Sequence, residues 1–208
     1  MQVAIVLYPG FTSLDVIGPY EVLGRLPDTE VVFVAERPGL VVNDLKSLSI
    51  DVVATLADVT TPDIVLVGGG PGQMEQMSNH ALLEWLRTTD RTSSWTTAVC
   101  SGSFLLAAAG LLDGRRATTH WAALDQFAQF GVTPSKERVV VDGHYATAAG
   151  VSAGIDMALT LSGLIAGDDV AQTVQLIIEY APEPPYSAGS VDTAPAAVVE
   201  NAKRVMAG

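Results

Sequence analysis

The sequence is short of most of what specialised folds require. Its 208 residues include one cysteine, three histidines, 11 lysines and arginines against 23 aspartates and glutamates, and few aromatics. A lone cysteine cannot close an intramolecular disulfide, and with three scattered histidines it cannot build a Cys/His zinc cage. Clustered Lys and Arg, the source of affinity for phosphates, are also missing. No basic grouping exceeds two residues, as at Arg115-Arg116, and the net charge is −12, so nucleic acid is not an expected partner. No apolar stretch approaches the ~20 residues of a membrane span, and the chain opens directly into a strand with no basic leader. The expectation from these absences is a cytoplasmic protein with a reduced thiol, no metal and no membrane contact, built as one domain with a core of its own.

What is present is an alternation of short apolar runs with amphipathic segments. Residues 2–7, 31–35, 64–67, 95–99 and 146–149 read as buried parallel strands, most of them ending in a glycine or a turn. Between them, residues 13–25, 78–89, 102–112, 122–130, 152–166 and 170–180 carry helical patterning. Strands that alternate with helices imply right-handed crossovers and a parallel sheet covered on both faces. Two hairpins interrupt the alternation: 40–42 with 48–53, and 138–141 with 144–147 around Asp142-Gly143. In Tyr180-Ala181-Pro182-Glu183-Pro184-Pro185-Tyr186 the prolines remove donors and fix φ, which predicts an extended arm at about 180–190 before a last helix over 194–206.

In an open parallel sheet the chemistry gathers beyond the carboxyl ends of the strands. Three of those ends carry candidates. Thr97-Ala98-Val99-Cys100-Ser101-Gly102-Ser103 passes from strand to helix without a spacer, a nucleophile-elbow pattern that puts Cys100 at a strained apex, with the helix N-terminus expected to lower its pKa. The alternative is a small buried hydrophobe. Gly68-Gly69-Gly70-Pro71-Gly72 lacks the lysine of a phosphate loop; the N–H groups of Gly69 and Gly70, with that of Ser101, could stabilise developing negative charge, or the run could be only a tight turn. Asp15 and Glu21 lie in Ser13-Leu14-Asp15-Val16-Ile17-Gly18-Pro19-Tyr20-Glu21. Asp15 is placed to cap the helix, yet Thr12 and Ser13 can do that, and a kink at Gly18-Pro19 could turn Asp15 or Glu21 towards the thiol, where burial would suit it to proton transfer. Of the histidines, His80 and His144 read as surface residues, and His120 alone stands near a strand end as a candidate base for Cys100.

Assembled, the segments VAIVLYPGFTSLDVIGPYEVL, DIVLVGGGPG, AVCSGSFLLAAAGLLDGRRATTHW and VSAGIDMALTLSGLIAG resemble the ThiJ/PfpI superfamily over nearly the whole chain. The resemblance implies a flavodoxin-like α/β fold, doubly wound around a mostly parallel sheet with helices on both faces, spanning 1–208 as one domain that includes the arm. Within it, the D-x-x-G-P-x-E pattern from Asp15 to Glu21 is similar to the isocyanide hydratase branch. The protease branch follows its cysteine with histidine where this chain has Ser101; the deglycase branch uses a glutamate in the first strand-to-helix loop; the AraC-type regulators append a basic DNA-binding domain, whereas this chain stops at Gly208 and is strongly acidic as a whole. Two departures from the hydratases stand out: Ser101 where threonine is common, and Ala181 where the arm carries an acidic residue.

The activity implied is hydration of an isocyanide to an N-substituted formamide without a cofactor. Cys100 would form a covalent thioimidate, Asp15 would act as general acid, protonating nitrogen, and then as base towards water, and Ser101 would orient Asp15 or the water. Gly18, Gly150 and His120 are expected around the substrate, and the arm is expected to help form a homodimer. The competing readings are cofactor-independent glyoxalase or deglycase chemistry on an α-oxoaldehyde, or a thiol sensor or ligand-binding module that is no enzyme.

Overall fold

The computed structural model describes residues 1–207. Its chain begins β1 (Gln2–Val6), α1 (Ser13–Leu23), β2 (Glu30–Ala35), then a hairpin of β3 (Gly39–Val42) and β4 (Ser49–Val52), the short β5 (Ala54–Thr55) and β6 (Ile64–Val67). It continues through α2 (Gln73–Gln76), α3 (His80–Asp90) and β7 (Trp95–Val99) to a 3-10 turn at Cys100–Gly102 and α4 (Ser103–Ala108). After β8 (Arg116–Ala117), a 3-10 segment over Trp121–Phe130 and β9 (Thr133–Pro134) come β10 (Val139–Asp142), β11 (Tyr145–Ala148), α5 (Ala153–Ala166) and α6 (Asp168–Ile177).

Seven strands form one sheet in the order β10-β11-β7-β6-β1-β2-β5. All its pairings are parallel except β10 with β11. Every residue of β6 and β11 is buried, as are all but the first of β1 and β7. A strand with no exposed position needs cover on both faces, and the helices provide it: α1 packs on α5, and α3 on α4. The core beneath α4 is closed by Phe104 against Phe127 and Phe130, with ring centroids 4.8 and 5.8 Å apart.

Several expectations shift in detail. The expected strand at 146–149 and the second arm of the hairpin at 144–147 are one element, β11, which pairs antiparallel with β10 on one side and parallel with β7 on the other. Asp142 is the last paired residue of that hairpin, opposite Tyr145, so the turn residues are Gly143 and His144, with Gly143 at φ +64°. The first hairpin stands outside the main sheet, tied to the segment after β1 by the Gly10 N–H, which donates to Val42 O at 2.9 Å. The helix expected over 102–112 is α-helical only over Ser103–Ala108, after a 3-10 turn that takes in Gly102, and the one expected over 122–130 is 3-10 rather than α-helical. Pro19 sits inside α1 without ending it.

The chain divides into two compact units. The first is Met1–Ile178; the second comprises the described residues from Glu179 on. In the second, residues 179–195 form no helix or strand, consistent with the prolines, and α7 (Ala196–Ala207) follows.

The topology fixes where a site belongs. From β1 the chain moves to β2 on one side, while β6 lies on the other side. The carboxyl ends of β1 and β6 are therefore a switch point, with β7 the next strand along.

Candidate active site

Cys100 leaves β7 with φ +57°, a left-handed conformation that costs a side-chain-bearing residue about 1–2 kcal/mol. Its backbone is held there from both sides. Its N–H donates to Ala149 O at 3.1 Å, and its carbonyl accepts from Ser103 Oγ and Thr119 Oγ1, each at 2.9 Å. Gly102 makes the turn possible, because a Cβ there would collide with the carbonyl oxygen of Val67. The result is the expected elbow, with the free thiol only 7% exposed.

Asp15, in the first turn of α1, is completely buried. Its Oδ2 accepts the Gly69 N–H at 2.7 Å, while Oδ1 is buried without a hydrogen-bond partner. It does not cap its helix. Thr12 occupies the cap position without a side-chain cap bond and donates instead to Asp44 at 2.7 Å. Burial raises the Asp15 pKa to about 7, helped by the Asp44 charge and opposed by the Gly69 N–H and by Cys100. A carboxyl group poised there can both give and accept a proton near neutrality.

The expected lowering of the thiol pKa is overturned. Burial first, and then the charge of Asp15, push Cys100 up to about 12, against the N–H groups of Val151 and Ser101, which favour the thiolate. A single 3-10 turn offers little dipole, and removing the sulfur from water outweighs it. Thiol and carboxyl therefore share their protons as a coupled pair, and the acidic member is Asp15.

The glycine run does not act as expected either. The N–H of Gly69 is engaged by Asp15, and that of Gly70 by Ser101 Oγ at 3.1 Å. Neither is free to meet an anion, and the N–H groups beside the sulfur belong to Ser101 and Val151. Glycine at 69 is nevertheless required, since a Cβ would lie 2.6 Å from both the nitrogen and Oγ of Ser101. The run is a scaffold that fixes Asp15 and Ser101 with respect to each other.

Gly150 and His120 are brought together: a Cβ on Gly150 would lie 2.7 Å from the His120 ring. His120 Nδ1 accepts the Ala122 N–H at 3.3 Å, and burial lowers its pKa, so the ring is neutral. The group coupled to the thiol is Asp15, and the Cys–His pairing considered for His120 is not formed. Gly18 faces Ile155 of α5, where it lets two helices approach; Glu21 is exposed and bonded to Arg25 at 2.5 Å. Among the described residues no three His, Cys, Asp or Glu gather as a metal would need, and no helix is long and apolar enough to cross a membrane. Reading the sequence missed Tyr8, whose hydroxyl donates to Gly68 O at 2.6 Å, although its place at the end of β1 was a usable signal. Thr119 and Val151, the latter at φ +34°, gave no such signal.

The DJ-1/PfpI family model matches residues 1–163. The chain belongs to the DJ-1/PfpI family. It is 43% identical to the isonitrile hydratase of Pseudomonas putida over 98% of this chain and 89% of that one. It is also 34% identical to the HTH-type transcriptional regulator CdhR of Pseudomonas aeruginosa, over 81% of this chain but only 52% of the regulator. Among solved structures, a ThiJ/PfpI family protein from Pseudomonas syringae superposes with a TM-score of 0.95 at 36% identity, covering 99% of this chain and 86% of that one. The family assignment and the fold expected from the sequence thus agree with the elbow, sheet and helices described above.

Proposed function

We propose that this protein is an isocyanide hydratase, converting R–N≡C and water into the formamide R–NH–CHO. The observation that carries the proposal is the buried Cys100–Asp15 pair, in which a carboxyl titrating at about 7 adjoins the only thiol. Likeness to the isonitrile hydratase of P. putida across almost the whole of both chains supports it.

The terminal carbon of an isocyanide carries a lone pair and accepts a nucleophile at the same atom. As the Cys100 sulfur bonds to that carbon, the thiol proton passes to ionised Asp15. Electron counting leaves the new pair on carbon, so Asp15 returns the proton to carbon and not, as first expected, to nitrogen. The adduct is the thioimidate R–N=CH–S–Cys100. Water then adds across C=N, its oxygen to carbon and its proton to Asp15, which protonates nitrogen. Collapse of the tetrahedral adduct forms the formyl C=O, breaks the C–S bond and returns the hydroxyl proton to the thiol through Asp15. Ser101, whose oxygen is held by the Gly70 N–H, keeps its own proton free to donate to the attacking water. No cofactor enters this sequence. Within this reading the enzyme works as a cytoplasmic homodimer. The dimer is the one expected of the arm at about 180–190, and a free thiol suits a reducing compartment.

The test is to supply p-nitrophenyl isocyanide and follow formamide. Turnover by the native protein, lost in Cys100→Ala and in Asp15→Asn, supports the reading. Cysteine-dependent turnover of methylglyoxal without turnover of any alkyl or aryl isocyanide replaces it with glyoxalase chemistry.

A further inference from the structure

The peptide group between Gly68 and Gly69 is gripped at both ends. Its carbonyl oxygen accepts the Tyr8 hydroxyl at 2.6 Å, and its N–H donates to Asp15 Oδ2 at 2.7 Å. The next peptide repeats the arrangement: Gly69 O accepts the Thr12 N–H at 2.9 Å, and the Gly70 N–H donates to Ser101 Oγ at 3.1 Å. Both peptide planes are made of glycine and have no side chain to lock their rotation. Tyr8 and Thr12 supply the lock. The Thr12 contact is backbone and available to almost any residue, whereas the Tyr8 contact exists only because a phenol oxygen stands at that position.

Tyr8 is built for this single bond. The residue is 3% exposed and lies just beyond the end of β1, where it lines a groove together with Leu40, Leu56 and Leu82. Burial, Asp15 and Cys100 all push its pKa well above the ordinary value, so its hydroxyl stays protonated and can only donate to the carbonyl. Donation to a peptide oxygen polarises the peptide and strengthens the N–H at its other end. That N–H is the one hydrogen bond the structure gives the Asp15 carboxylate from the backbone, and a hydrogen bond to the ionised form favours ionisation.

We propose that Tyr8 is a positioning residue for the reaction, acting through the Gly68–Gly69 peptide to hold Asp15 in the ionised form that takes the Cys100 proton. The proposal rests on the roles given above to Cys100 and Asp15, but its test does not require the isocyanide.

The experiment compares native protein with Tyr8→Phe, which keeps the ring and the groove wall and deletes one oxygen. Alkylation of Cys100 by iodoacetamide is followed by mass spectrometry from pH 5 to 10, with kcat/KM for p-nitrophenyl isocyanide measured in parallel. Tyr8→Phe should move the acid limb of the alkylation profile upward by about 0.5–1 pH unit, a three- to ten-fold slower reaction at pH 6, with rates converging with native protein above pH 9. In the Asp15→Asn background the same substitution should move nothing, because the ionisable acceptor is gone. An unmoved limb in Tyr8→Phe, an equal loss at every pH, or a shift that persists in the Asp15→Asn background would each overturn the proposal. If no isocyanide is turned over, the hydratase reading fails while the alkylation profile still decides the role of Tyr8.

Discussion

Two aspartates mark opposite edges of the same sheet. At the amino edge the largely covered Asp90 closes a network. Its Oδ1 accepts from Thr96 Oγ1 at 2.7 Å and lies 3.1 Å from His144 Nε2, and its Oδ2 accepts the Tyr145 hydroxyl at 2.8 Å. The Arg115 guanidinium covers the Tyr145 ring at 4.4 Å and lies 3.6 Å from Asp142. At the carboxyl edge Asp15 has one oxygen on a backbone N–H and the other on nothing. The side chains are the same and the difference is satisfaction. A carboxylate whose oxygens are both bonded ties elements together, while one half-bonded out of water holds its proton more tightly than in water, up to about pH 7, where it can both take and give one. The backbone follows suit, since the positive φ of Cys100 lies at the carboxyl edge, where strain is held in place by Ala149, Ser103 and Thr119.

The largest effect expected is at the thiol. Cys100→Ala should lower kcat/KM for the isocyanide by about 10³-fold or more, since the chain has no other thiol. Comparing it with Cys100→Gly measures the strain: both should be inactive, but the glycine variant should be more stable in urea by about 1 kcal/mol, because only glycine adopts that φ freely. Equal stability would mean the elbow stores nothing.

Substituting the two aspartates should give opposite signs. Asp15→Asn should cost about 10²–10⁴ in kcat/KM. The native profile should fall about tenfold per pH unit below the Asp15 value of about 7, where the pair carries an extra proton and has no base. Stability runs the other way. Because folding raises this pKa above the ordinary 3.8, native protein loses stability as pH rises from about 4 to about 7, by up to ~4 kcal/mol. Asp15→Asn should escape that loss and exceed native stability by about 1–4 kcal/mol at pH 8, with no gain at pH 4. Asp90→Asn should instead leave kcat/KM within about two-fold and cost about 1–3 kcal/mol by leaving donors unpaired. Urea denaturation at the two pH values separates these outcomes, and a destabilised Asp15→Asn at pH 8 would dissolve the contrast.

The sheet was legible because period and punctuation agree there: residues 64–67 and 95–99 were bounded to the residue. The elbow was legible because Cys100-Ser101-Gly102 has one plausible geometry between a strand and a helix. What could not be read was satisfaction. Nothing in the sequence tells that the Gly69 and Gly70 N–H groups face Asp15 and Ser101 and not an anion, or that Glu21 turns outward to Arg25 while Asp15, earlier on the same helix, turns in. The sign of the Cys100 shift was missed for the same reason. The depth of the thiol and the groups that meet it, Asp15 and Val151, come from segments distant in sequence, whereas the helix N-terminus that argued for lowering is local and visible.

The smallest effects test whether glycine itself differs between the edges. Gly143 and Gly69 both resist a side chain, for different reasons. At Gly143 the obstacle is conformational: φ is +64° and the nearest atom to an added Cβ is Arg115 Nη1 at 3.3 Å, the far end of a flexible side chain. Gly143→Ala should therefore cost about 1 kcal/mol and leave kcat/KM unchanged. At Gly69 the obstacle is the backbone nitrogen of Ser101, which cannot move without moving Cys100 beside it. Gly69→Ala should displace the elbow and lose activity by about 10²-fold, as a misplacement near 1 Å does. Full activity in Gly69→Ala would show that Asp15 and the thiol keep their alignment without the glycine scaffold.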